Sequence, residues 1–301
     1  MTDHASYDSL ITRRDFLKGS AAAAVGLAVG LPAESRESDL EKATRVVLIR
    51  NKDVIDKNAK VDPAIIGSML DDAVTALVGA EDAPAAWREL FSGDDTIGIK
   101  SNFWTFMPTP KPLEAAIRKG IESAGVPPDR IAVDDWGVRK NPVFLKATGL
   151  VNVRPLRTHY WAGIGGCLKN YIMFSSNPPD YHPDSCADLA LLWRLPEVAG
   201  KTRLNILSVL TPLFHGRGPH HFDQRYIWNY RGILVGTDPV AVDAVGLHIL
   251  RAKRAAFFKN DTKWETQPKH VMMAESRHKL GTATIEKIDL VTLGWRDDLL
   301  I

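Results

Sequence analysis

The stretch Gly232-Ile233-Leu234-Val235-Gly236-Thr237-Asp238-Pro239-Val240-Ala241-Val242-Asp243 decides the fold class. Its first half is a short apolar run closed by glycine, the pattern of a buried strand. Its second half opens with Asp238 at an N-cap position. Pro239 follows at the first helical position, where a missing N–H costs nothing. The helical pattern then runs on to about Ala255. A buried strand passing at once into a long helix is the building step of layered α/β folds.

The same step recurs on either side. Upstream, Arg45–Ile49, Thr96–Ile99, Ile131–Val133, Val151–Val153 and Leu204–Val209 read as strands, and downstream so does Ile288–Val291. Between them, a helix starts at Pro63 behind the N-cap Asp62. A second spans Leu113–Ala124 and stops at Gly125, and a third covers Pro268–Lys279. The sequence predicts an α/β fold: a largely parallel or mixed sheet flanked by helices, in a single compact domain over residues 45–301. Phe174–Pro183 and Thr211–Arg231 carry little periodicity and are expected as long loops.

The chain starts differently. Arg13-Arg14-Asp15-Phe16-Leu17-Lys18 precedes a mild apolar run, Ala21–Leu31, closed by Pro32-Ala33. This is a basic head, a short apolar segment and a small-residue end, and the paired arginines resemble a twin-arginine export signal. Residues 1–33 are expected as that signal and 34–44 as a linker. The reading implies handling by the Tat export machinery and a periplasmic or other extracytoplasmic location. Eleven apolar residues are too few for an ordinary membrane span. No permanent span is expected once the signal is cleaved; an uncleaved signal would leave a tether.

Composition excludes several classes. With 38 Lys and Arg against 36 Asp and Glu, the net charge of +2 gives no basic field for nucleic acid. Cys167 and Cys186 are too few for a four-cysteine zinc site or an iron–sulfur cluster. They could form one disulfide in an oxidising compartment.

Two segments concentrate reactive side chains. Phe214-His215-Gly216-Arg217-Gly218-Pro219-His220-His221 follows a strand, at the edge where open α/β sheets bind ligands. Arg217 could hold an anion, Gly218 would allow close backbone approach, and a metal on His215, His220, His221 and His182 is left open. The second segment runs from His159 through Gly165-Gly166-Cys167-Leu168-Lys169-Asn170. Glycines there would let Lys169 and backbone amides approach a ligand. Lys100 and Asn102 end one strand and Asp134-Asp135 another, so these groups should converge. Asp134-Asp135 is also readable as a cap and a turn, Asp243 as facing loop or solvent, and Arg251, Lys253 and Arg254 as a solvated helix end.

Taken in order, these pieces resemble the domain of unknown function (DUF) 362 family. The resemblance rests on Ile97–Asn102, on Gly163–Asn170, on Gly218-Pro219 and, most of all, on Gly232–Asp243, and it covers roughly residues 95–293. Members often carry an appended ferredoxin-like cysteine cluster, which this chain lacks. Ser208–Pro212 also replaces an acidic-glycine pair, so no electron-transfer role is implied. A shorter resemblance runs to the N-terminal region of the nickel-pincer lactate racemase, at His159, Gly165-Gly166, Lys169 and His182. It implies a lysine anchoring the pincer and histidines serving nickel and proton transfer.

The expected function is an exported protein with a Lys-, Arg- and His-rich site for a small anion or a cofactor. Lys169, His159 and His215 are the candidate catalytic groups. Lys100, Asn102, Gly165, Gly166, Asn170, Arg217 and Gly218 are the candidate ligand-binding ones. No cofactor is named by the sequence. The alternative is a non-catalytic binding or accessory protein for a periplasmic redox or metal system.

Overall fold

The computed structural model describes residues 44–218, 222–259 and 264–301. The export signal, most of the linker, His220 and His221 lie outside them. Eight described strands form one sheet. They are β1 (Thr44–Arg50), β2 (Ile97–Lys100), β3 (Ile131–Asp134), β4 (Gly149–His159), β5 (Gly163–Gly165), β6 (Thr202–Leu213), β7 (Gly232–Gly236) and β8 (Ile288–Gly294). Their order is β3-β2-β4-β6-β7-β1-β8, with β5 paired to β4. β3, β2, β4 and β6 run parallel, as do β1 and β8, whereas β7 is antiparallel to both neighbours. Along this path only β7 is reversed, so six strands end on one edge.

Helices cover both faces. α1 (Pro63–Val78), α2 (Ala83–Leu90) and α3 (Lys111–Ser123) bury one face with Val47, Ile49, Ile97, Ile99, Val151, Val153, Ile233 and Val235. α4 (Cys167–Asn170), α5 (Pro239–Phe257) and α6 (Lys269–Ser276) lie over the other, with Val46, Leu48, Leu156, Leu207, Val209 and Leu234. Successive strand residues point to opposite faces. With both faces covered, each strand must be apolar throughout, which explains the unbroken runs in β1 and β7.

The helix starts follow their caps. Asp62 accepts the amides of Ala64 (2.8 Å) and Ile65 (2.9 Å) ahead of α1. Asp238 accepts those of Val240 (2.8 Å) and Ala241 (3.2 Å) ahead of α5. Because β7 is reversed, α5 begins where its neighbouring strands begin and runs toward the edge where they end. It thereby carries Asp243 beneath mid-sheet and Arg254 to the strand-end edge. Among the described residues no single helix is long and apolar enough to cross a membrane.

Some sequence expectations need correction. β4 does not stop at Val153 but continues through Pro155 to His159, with a register shift against β6 between Pro155 and Arg157. β6 reaches Leu213, and Tyr171–Phe174 and Pro178–Tyr181 are short 3-10 turns rather than featureless loop. α6 covers only Lys269–Ser276. Arg254 is buried, not a solvated helix end. Cys167 and Cys186 are both buried free thiols.

Candidate functional site

The strand-end register builds a polar row. Lys100 of β2 stands beside Asp134 of β3 and Asn152 of β4, and Asn152 pairs with Asn205 of β6. Lys100 Nζ donates to Asp135 Oδ1 (2.6 Å), to the Ser101 carbonyl (2.7 Å) and to Asn170 Oδ1 (3.3 Å). Asn170 Nδ2 donates to Asn152 Oδ1 at 2.9 Å and reaches the carbonyls of Lys100 (3.1 Å) and Val153 (3.2 Å). Asn152 Nδ2 in turn donates to the Cys167 carbonyl (3.0 Å) and to Asn205 Oδ1 (3.1 Å). Every donor of Lys100 is thus used. Lys100 and Asn170 form a frame that ties α4 to the sheet.

Asp243 of α5 completes that frame. Its carboxylate accepts the amides of Cys167 (2.5 Å) and Leu168 (2.9 Å) at the start of α4. A Cβ on Gly166 would fall 2.2 Å from Asp243 Oδ1, and one on Gly165 2.7 Å from Arg154 Nη2. Only glycine leaves room for that carboxylate and that guanidinium to approach the backbone. Burial raises the Asp243 carboxyl to about 7, against the lowering effect of the two amides and Arg154.

The charges do not balance. Lys100, Arg154, Arg157 and Lys169 are at least 96% buried, facing the equally buried Asp135 and Asp243. Lys100 pairs with Asp135. Arg154 donates from Nη1 to the Gly166 carbonyl (3.3 Å), and Arg157 from Nη1 to Asn102 Oδ1 (3.0 Å). Arg154 Nε and Arg157 Nε are buried without a hydrogen bond, and Lys169 Nζ is buried with no oxygen or nitrogen acceptor, only the Cys186 thiol beside it. Buried donors are rarely left so, and an excess of buried cations is costly. Burial, with Arg154 adding, lowers Lys169 to about 8.

Imidazoles and a strained turn border Lys169. Burial and the charge of Lys169 push His159 well down, His182 down to about 4 and His270 down to about 3. All three are therefore neutral near pH 7. His159 Nδ1 accepts the Trp161 amide (3.2 Å), and His182 packs 3.9 Å from the Trp161 ring. His270 is fully buried, its ring set against the Ala162 backbone. Asp184, Ser185 and Cys186 follow one another at φ 48°, 57° and 61°. Three successive non-glycine residues in the left-handed region cost about 1–2 kcal/mol each. The turn sets the Cys186 thiol against Lys169, and the ammonium partly offsets the rise that burial imposes on that thiol.

Residues 99–248, from the last turn of β2 into α5, match the family described as Domain of unknown function (DUF362). The chain belongs to the DUF362 family. Residues 10–30 match the TAT (twin-arginine translocation) pathway signal sequence, so this DUF362 protein is exported to the periplasm or another extracytoplasmic space through the Tat machinery. No curated protein and no solved structure matches the chain. The DUF362 span holds all six charged residues of the cluster, together with His159, His182 and Cys186. His270 on α6 lies beyond it.

The DUF362 structure gathers Lys100, His159, Gly165, Gly166, Lys169, Asn170 and His182 around this cluster, with Asn102 as a partner of Arg157. It sets His215, Arg217 and Gly218 elsewhere, while His220 and His221 lie outside the described residues. Arg217 is exposed and donates from Nε to Glu265 (3.0 Å). Its backbone carbonyl accepts the Tyr160 amide (3.1 Å), and Gly218, at φ +65°, packs against the Thr158 carbonyl. His215 meets Arg254, Tyr226 and Phe258, and shares a small cleft with His159. Among the described residues no group of three His, Cys, Asp or Glu is arranged to hold a metal ion.

The sequence reading missed Arg154, Arg157 and His270, and it read Asp243 as facing loop or solvent, whereas that residue is fully buried. The arginines lie in the second half of β4, where Pro155 reads as a strand stop. The available signal was their spacing within an otherwise apolar strand: Arg154 faces α4 while Arg157 turns toward Asn102 and stacks 4.5 Å over Trp104. Asp135 is neither cap nor turn residue but the ion-pair partner of Lys100. A lone histidine on α6 carried no signal.

Proposed function

We propose that this exported DUF362 protein binds a small organic anion, a carboxylate in the simplest case, among Arg154, Arg157 and Lys169. Lys100, Asn102, Asn170, Gly165 and Gly166 hold these groups in place, and His159 and His182 border them. One observation carries the reading: three buried cationic groups keep donors with no oxygen or nitrogen acceptor, in a cluster where cations outnumber carboxylates. An anion supplies both the missing charge and the missing acceptors. The position at the ends of parallel strands supports it, since ligands of open α/β sheets gather there. Charge-assisted hydrogen bonds of this kind contribute about 1.5–3 kcal/mol each.

Calorimetric titration of the mature protein with acetate, pyruvate and phosphate tests this. Saturable binding of at least one of them, with one site per chain, is expected. Absence of binding by all three overturns the reading.

A further inference from the structure

We infer that Lys169 is a covalent amine: it condenses with the carbonyl group of a bound 2-oxo acid and holds it as an imine. The inference rests on the anion site proposed above and gives it a chemistry.

Lys169 differs from the other buried cations of the cluster. The head groups of Lys100, Arg154 and Arg157 each donate at least one hydrogen bond to the fold. Lys169 Nζ, buried with the residue only 4% exposed, meets no oxygen or nitrogen acceptor and is set against the Cys186 thiol alone. A thiol is a weak acceptor. The amine is therefore not bound up in architecture. It also stands in the two environments that make a lysine nucleophilic, desolvation and a neighbouring cation. Arg154 supplies the second, and the resulting value of about 8 leaves free amine accessible near neutral pH.

The groups around Lys169 suit the remaining steps. His159, His182 and His270, from β4, the loop before the strained turn, and α6, are neutral bases. They are too weak to deprotonate the Lys169 ammonium, so the reacting species is the fraction already present as free amine, its proton left with solvent. The amine lone pair attacks the carbonyl carbon, and a proton passes from the attacking nitrogen to the carbonyl oxygen, giving the carbinolamine. The carbinolamine loses water as the C=N bond forms. No electrons are transferred, and the step is reversible. Arg154 and Arg157 hold the carboxylate. In a 2-oxo acid that carboxylate is bonded directly to the carbonyl carbon, which matches a guanidinium set beside the amine. The strained turn at Asp184–Cys186, held from α6 by Lys269 on Asp184 (2.5 Å), keeps the thiol packed over the amine. Burial holds that thiol protonated, so it does not compete as a nucleophile.

Borohydride reduction of the full protein in the presence of pyruvate tests the inference, because reduction turns an imine into a stable secondary amine. Peptide mass spectrometry should place one adduct on Lys169, and excess acetate should suppress it. Lys169→Arg keeps the charge and should lose the adduct while binding acetate within a few-fold of wild type. Pyruvate that binds by calorimetry but leaves no adduct on Lys169, or adducts scattered over surface lysines, overturns the imine and leaves the anion site standing. If acetate, pyruvate and phosphate all fail to bind and no adduct forms, both readings fall. The wild-type mapping keeps the test decisive even if Lys169→Arg folds poorly.

Discussion

Asp243 accepts the amide of Leu168 at 2.9 Å while its other oxygen takes that of Cys167. A helix on one side of the chain thus caps the short helix that carries Lys169, 75 residues away in sequence. The bond exists because reversal of β7 aims α5 along the sheet, and because Gly166 presents no side chain to block the carboxylate.

This cap should be central to the fold. Asp243→Ala strands two buried amides, and each unsatisfied donor costs about 1–3 kcal/mol. Gly166→Ala forces a Cβ onto the carboxylate. Both variants should melt well below wild type, and Gly166→Ala should lose anion binding even where it folds. Thermal melts and titration check this; a Gly166→Ala protein that melts and binds as wild type contradicts the cap.

Relative to Lys169→Met, the ligand-free wild type should gain stability as pH rises from about 8 to about 10.5, a difference in which the opposing titration of the buried Cys167, Cys186, Tyr171 and Tyr230, all raised by burial, cancels. Lys169 has a folded value lowered to about 8 by burial, against 10.5 ordinarily. Within that window the folded state has shed protons that the unfolded state still holds, so alkali favours folding. Below it the cost of burying that charge is fully present. A bound anion restores the Lys169 ammonium, so binding there should take up a proton and weaken by up to about tenfold per pH unit. Calorimetry in buffers of different ionisation enthalpy measures the uptake. Binding with no proton uptake at pH 9 contradicts the placement of the anion beside Lys169.

The thiols give an independent check of the packing. Cys167 and Cys186 are buried and unbridged. The native protein should react negligibly with a thiol reagent over minutes, and the denatured, unreduced protein should show two thiols. A protein isolated from its export compartment that shows none after denaturation carries a bridge this structure does not have.

Much of this was legible in the sequence, for physical reasons. Apolar runs such as Gly232–Val235 must be strands covered on both faces. Asp238-Pro239 must start a helix, and the ends of β2 and β3 must bring Lys100 near Asp134-Asp135. Two features were hidden. Pro155 sits inside β4 at a register shift, so the strand seemed to end before its two arginines. The turn Asp184-Ser185-Cys186 is left-handed without a glycine, against local preference. Arg217 is the converse case: beside Gly216 and Gly218 it has the local look of an anion holder, yet Glu265, distant in sequence, takes its guanidinium.

The most direct measurement is a pair of titrations and melts on wild type and Lys169→Met. Methionine fills the volume of the lysine stem without a charge to bury, and replacing buried charges by apolar groups is often neutral or stabilising. Lys169→Met should melt at or above the wild-type temperature and bind acetate or pyruvate at least tenfold more weakly. A variant that melts far lower, or that binds the anion as wild type does, would show that Lys169 serves the fold alone and that the anion site lies elsewhere.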